Sequence, residues 1–218
     1  MTFTVAITAT TRPTGPRTSA RLAVSAFAAT TLGYVIINKS MPHPGATATT
    51  IRAYTDGHHT TVLVGSLLLV ASAAALAAAA AILRRGAHAG TAVTTAVTGA
   101  MLAAAALTIS AFATVISARP GLDDATVTAW AHGAFLAGGP AYAAGFGLMT
   151  AGLALAGRSA GTMARYLIYT AAVLVPVAAV SVLTVALPAC AYLLPVVRFG
   201  GMLWMLAALP SITTGRRR

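Results

Sequence analysis

An all-α, polytopic membrane bundle of six transmembrane helices is the fold class this sequence predicts, on three observations. Hydrophobic residues make up 58% of the chain and charged residues 8%, where a soluble domain carries about a quarter charged. The stretch Thr60–Leu83 reads TTVLVGSLLLVASAAALAAAAAIL, without a charge or a proline, and stops at Arg84-Arg85. As a helix it would be about 36 Å long, enough for a hydrocarbon core of about 30 Å. The same layout then recurs along the chain.

The net charge of +11 invites a nucleic-acid reading. The positions of the charges argue against one, because the arginines flank apolar spans and build no soluble basic face. The expected partners are the lipid bilayer and anionic headgroups at the inner face. Assembly with like copies is an open alternative. The sole cysteine, Cys190, allows no intrachain disulfide and is read as a lone thiol at an outer turn. Heavy use of Ala, Gly, Thr and Val points to a high-GC bacterial genome.

Residues 1–19 read as a disordered cytoplasmic tail. Arg12 and Arg17 ahead of an apolar run resemble a secretory signal, but no A-x-A site with convincing flanks follows. Residues 20–37 are therefore the first span, ended by Asn38-Lys39-Ser40. In the next loop Thr47, Ile51, Tyr54 and His58 recur at helical spacing. They predict a short amphipathic helix in the outer interface, with the Tyr54 hydroxyl wet.

Span two is Thr60–Leu83, and residues 84–90 make a tight inner turn. Span three is 91–117. Its seven β-branched residues between Thr91 and Thr108 do not oppose a helix in lipid, where the backbone must satisfy itself. The turn at 119–124 offers Asp123 or Asp124 as a helix cap. Span four covers 127–155 and is interrupted by Gly138-Gly139-Pro140, so Pro140 should kink it. Span five is 166–187, with Pro176 near its middle. Span six is 193–212, and residues 213–218 form a basic cytoplasmic tail. The transmembrane domain is thus 20–212.

Of the 14 basic residues, ten fall on one side of this layout. They are Arg12, Arg17, Arg21, Arg84, Arg85, Arg158, Arg165, Arg216, Arg217 and Arg218. Lys39, Arg52 and Arg119 fall on the other, with all three acids. The positive-inside rule then puts both termini in the cytoplasm, as an even number of spans requires. The expected location is the bacterial plasma membrane. The two three-span halves show no inverted repeat.

Arg198 is the charge inside a span, and an intramembrane ionisable residue is a functional candidate by default. The plainer reading, which is preferred, is snorkelling to the outer headgroups. Asp124, Thr128 and His132 recur at i, i+4, i+8 and would share one helix face. They could form an outward polar pocket in which Asp124 pairs with Arg198 and His132 titrates near neutral pH. A cap plus an interfacial histidine is the plainer account. Met41, His43, His58 and His59 carry donors that suit copper, but no H-x₃-H or C-x₂-C spacing supports them, and no metal or cofactor is expected. The glycines of span four, Gly145, Gly147 and Gly152 among them, fit close helix packing better than a hinge. No Walker, G-x-S-x-G or H-E-x-x-H sequence is present.

Three stretches resemble a family of six-helix bacterial membrane proteins of unknown function, common in actinobacteria. They are ATATTIRAYTDGHHTTVLVGSLL, LDDATVTAWAHGAFLAGGPAYAAGFGLMTAGLAL and MLWMLAALPSITTGRRR. They are similar to that family's outer amphipathic run, its acidic turn with a mid-helix proline, and its tryptophan-bearing last span with a basic tail. One departure is plain. Where such proteins often carry Leu-Pro-x-Trp-Leu-Gly, this chain has GRSAGTMARYLIY. The resemblance implies six spans and no particular activity. The expected role is non-enzymatic, as an accessory or stress-related factor. Transport of a small solute, an anion being the natural cargo for Arg198, is the alternative. A membrane enzyme using Asp124 and His132 comes third.

Overall fold

Helix α1 (Pro16–Ile37) leads into a short helix α2 (Ala48–Gly57), and His58 alone separates α2 from the long helix α3 (His59–Gly86). This is a computed structural model that describes residues 16–43, 45–86 and 90–212. Residues 1–15 of the tail expected at 1–19, the tail expected at 213–218 and residues 87–89 of the inner turn lie outside the described residues, and residues 16–19 of the first tail belong to α1. Helix α4 is Thr91–Ser117. Then come α5 (Asp124–Leu136), a π turn (Ala137–Ala141) and α6 (Tyr142–Ser159), which together form one span. Helix α7 (Arg165–Val182) ends in a 3₁₀ turn, and another 3₁₀ turn at Pro188–Leu193 starts the last span. That span passes through a second π turn (Val196–Gly200) into α8 (Gly201–Ile212).

Six of these segments are long and apolar enough to cross a bilayer, and the described residues contain no strand. The protein is a multi-pass helical membrane bundle. Large apolar side chains such as Leu67, Phe112, Val173 and Leu203 stay exposed on its flanks, which is the surface lipid requires. Span three runs over Thr91–Ser117, as its hydropathy predicts. Span one begins at Thr18 and span four at Asp124, both earlier than the sequence indicates. The caps explain the second difference. Asp123 accepts from the Thr126 backbone N–H at 2.8 Å, and that starts the helix one turn sooner.

Helix α4 stands at the centre, with α3 on one side and α6 on the other. Helix α1 packs outside α3 and reaches α8, and α8 closes the ring against α6 and α7. The α4–α6 contact rests on missing side chains. A Cβ on Gly145 would lie 2.5 Å from the Ala103 nitrogen. One on Gly99 would strike the Met149 backbone, and one on Gly152 would strike that of Ala96. Small residues on both helices thus let the backbones touch, which is how helices gain dispersion contact in lipid. Side-chain hydrogen bonds tie the outer pairs. Ser72 on α3 donates to Thr30 on α1 at 2.8 Å, and Trp204 on α8 donates from Nε1 to the Leu167 carbonyl at 2.8 Å.

The loop after α6 is closed by a Schellman motif. Thr162 N–H reaches the Gly157 carbonyl and Gly161 N–H reaches that of Arg158, with Gly161 at φ +64°.

Candidate functional site

Arg198, in the second π turn, reaches the first. Each π turn shifts the hydrogen-bond register by one residue. In the first, Pro140 has no N–H to give. The Tyr142 N–H, which in an α-helix would bond to Gly138, instead reaches Ala137 and Gly139. The Gly138 carbonyl thereby loses its usual donor, and the Arg198 Nη2 donates to it at 2.6 Å. A Cβ on Gly138 would come 2.5 Å from the Ser110 Oγ, which donates to the Ala134 carbonyl at 2.7 Å. Glycine at 138 therefore allows α4 to brace the turn from behind.

The guanidinium lies between two rings. Its carbon sits 5.7 Å from the centroid of Tyr34 on α1 and 5.3 Å from that of Tyr142 on α6. Both are within cation–π range. Below it the packing is dry and aromatic. Tyr142 leans on Phe146 at 5.5 Å, and Phe146 stacks on Phe27 at 6.1 Å. The Tyr142 hydroxyl is buried with no hydrogen-bond partner among the described residues.

Arg198 sits further along its span than the sequence implies. The last span starts at Pro188 rather than at 193, so ten residues of helix precede Arg198 instead of five. Its head is taken by Gly138, Tyr34 and Tyr142, and the expected snorkelling gives way to bonding inside the protein. It does not pair with Asp124 either. The one ion pair among the described residues joins Asp124 to Arg52 on α2 at 3.0 Å, and Arg52 also donates to the Leu122 carbonyl.

That clamp holds α2 across the end of the bundle, packed chiefly on α5. Tyr54 and Ile51 are buried there. The expectation of a wet Tyr54 hydroxyl is thus corrected. The apolar face of α2 rolls onto the protein, and the Tyr54 oxygen is buried without a partner among the described residues. Its ring stacks on His58 at 4.6 Å, and the His58 Nδ1 lies 3.1 Å from the Tyr54 carbonyl oxygen.

Asp124, Thr128 and His132 do share one face of α5, and all three are exposed. Thr128 donates to the Asp124 carbonyl at 2.9 Å. Eight residues of helix separate Asp124 from His132 by about 12 Å along the axis, too far for a shared proton. His43 is engaged locally, accepting from the Gly45 N–H at 3.2 Å. Pro176 sits inside α7, whose helix continues through it. Cys190 is a free, half-buried thiol in the 3₁₀ turn at Pro188–Leu193.

Sequence reasoning singled out Arg198 and the glycine-proline break, but missed Tyr34 and Tyr142. The one available signal was a tyrosine directly after the Gly-Gly-Pro-Ala break. No family model, curated protein or solved structure matches this chain.

Proposed function

We propose that this chain is a non-enzymatic protein of the bacterial plasma membrane, accessory or stress-related in role, whose working part is a binding centre at Arg198. The observation that carries this is a guanidinium with no carboxylate partner among the described residues, which leaves one π turn to bond the carbonyl freed by another. A charge inside an apolar span is costly to keep, and packing alone would be served by an apolar residue. The weight of arginine around Arg84-Arg85 and Arg158–Arg165, against Lys39, Arg52 and Arg119 at the opposite ends, supports cytoplasmic termini. It also supports contact of the inner face with anionic headgroups. The Arg198 centre then lies in the outer half, under α2. The resemblance to six-helix actinobacterial proteins fits this layout.

A chromosomal Arg198→Gln change, at matched membrane level, tests the role. It should reproduce the deletion phenotype under envelope stress, and growth equal to wild type would sink the reading. Reporter fusions at residues 88 and 122 should light up in opposite compartments.

Transport of a small anion is the second reading. Broken helices in two spans, here joined by Arg198, are a feature of transporter substrate sites. Flux in proteoliposomes that depends on Arg198 would favour it over a non-transporting role.

A further inference from the structure

We propose that a groove on the flank of α4, lined by Thr91, Thr94, Thr95, Thr98 and Leu148, holds the glycerol-phosphate end of one anionic phospholipid. This rests on the reading that the inner face meets anionic headgroups, and it names where one of them is held. The groove has a volume of about 440 Å³, with Gly90 at its end. That is within the range of small-molecule sites, about 300–1,000 Å³. It runs beside the seam between α4 and α6. A Cβ on Gly99, next to Thr98, would lie 2.8 Å from the Leu148 carbonyl carbon. The four threonines recur at i, i+3, i+4 and i+7, so one helix face presents them together.

A hydroxyl on a membrane span needs a partner. On α4, Thr95, Thr108 and Thr114 find one by donating to the carbonyl four residues back, at 2.9, 3.0 and 2.8 Å. Thr94 and Thr98 do not. Among the described residues their hydroxyls make no hydrogen bond, and both residues are exposed in the groove. Helix α4 has 27 residues and is about 40 Å long, close to the 40–45 Å or so of a bilayer with its headgroups. Its first two turns therefore stand at the depth of glycerol and ester groups. Past them the same flank turns apolar, with Met101 and Leu102 exposed beyond Thr98. A phospholipid has that same gradient. Its phosphate and ester oxygens accept from hydroxyls, and its chains lie along Met101, Leu102 and Leu148. A free phosphate would leave the apolar wall unused. A helix of a second copy would need small residues to come close, and this flank continues instead with Met101, Leu102, Ile109 and Phe112. The charge fits as well. This end of the bundle carries Arg84 and Arg85 at the end of α3, and Arg158 and Arg165 around the turn after α6. All three acids, Asp56, Asp123 and Asp124, lie at the other end.

The test uses the full chain in detergent micelles, titrated with phosphatidylglycerol, with phosphatidylcholine of the same chains, or with inorganic phosphate. Bound mass is read by native mass spectrometry. Wild type should hold one phosphatidylglycerol saturably, phosphatidylcholine more weakly, and no phosphate. Thr94→Val combined with Thr98→Val keeps the side-chain shape and removes the two hydroxyls. This pair should melt as wild type and bind phosphatidylglycerol about tenfold more weakly, the effect of two hydrogen bonds. Thr108→Val combined with Thr114→Val, whose hydroxyls are already bonded, should bind as wild type. Equal binding by wild type and the Thr94/Thr98 pair overturns the site. So does retention of phosphate alone, or a dimer that the Thr94/Thr98 pair dissociates, which would give the groove to a second copy. If a preference for phosphatidylglycerol survives undiminished in that pair, the site falls and the headgroup reading stands. If wild type binds both lipids equally, the anionic assignment and the headgroup reading fall together.

Discussion

Helices α5 and α6 are two halves of one span, divided by the π turn at Ala137–Ala141, and they are held in opposite ways. Helix α6 buries eleven of its 18 residues, and α5 buries two of 13. Helix α6 touches α4 backbone to backbone, through Gly145 and Gly152. Helix α5 stands further off and is tied by polar bonds, Ser110 to the Ala134 carbonyl and Arg52 to Asp124. The whole span of 36 residues is about 54 Å long, well beyond a hydrocarbon core of about 30 Å. The first turns of α5 therefore reach past the core, where water satisfies polar groups and α2 can dock. The π turn marks the change from contact by close packing to contact by hydrogen bond, and it exposes the carbonyl that Arg198 takes.

The sharpest way to break this contrast is to place bulk in each half. Gly145→Leu should cost about 3 kcal/mol or more, since the new side chain meets fixed backbone. It should leave little monodisperse protein on size exclusion. A normal melting curve for this variant would show that the two helices are not in register as described. Gly133→Ala in α5 should do the opposite. A Cβ there meets nothing within 4 Å, and replacing a helical glycine should add about 0.5–1 kcal/mol. A higher melting temperature is the expected reading.

The polar ties rank next. Asp124→Asn should cost only about 0.2–1 kcal/mol, because the pair is open to water, with the Asp124 side chain 72% exposed. Arg52→Gln should cost more, since it also strips the donor from the Leu122 carbonyl. Faster hydrogen exchange confined to α2, larger for the Arg52 variant, is the signature. Equal effects would mean that the carbonyl bond adds nothing.

The smallest effect concerns the start of α5. The Thr126 backbone N–H and then its hydroxyl hold the exposed Asp123 carboxyl below the usual carboxylate range. A depressed folded value stabilises the protein above the unfolded pKa, near 3.9. That contribution fades as pH falls through the lower, folded value. Asp123→Asn keeps a capping side chain and should remove this acid-side slope, as read from melting temperature against pH.

Much of this fold is legible in hydropathy, because lipid leaves the backbone few choices. The limits of α4 and the break at Gly138-Gly139-Pro140 follow from residue type alone. What the glycines are for does not. Gly145 and Gly152 are small in the sequence whether they hinge or pack, and only the α4 backbone beside them decides it. The electrostatic partners are hidden for a different reason. Asp124 and Arg52 are 72 positions apart, and Arg198 and Gly138 are 60 apart. A backbone carbonyl carries no letter of its own in the sequence, so the group that receives Arg198 could not be read in advance. The early start of the last span was hidden for another reason, since Pro188–Leu193 enters as 3₁₀ turns rather than as a periodic helix.

His58 gives α2 a joint of one residue. A rod hinged that closely to the next rod can swing but cannot slide. Its path is an arc about His58, with Tyr54 about 6 Å from the pivot and Arg52 about 9 Å. The latch therefore sits on the longer arm. Arg52 thus holds α2 with more leverage than a tie beside the joint would give.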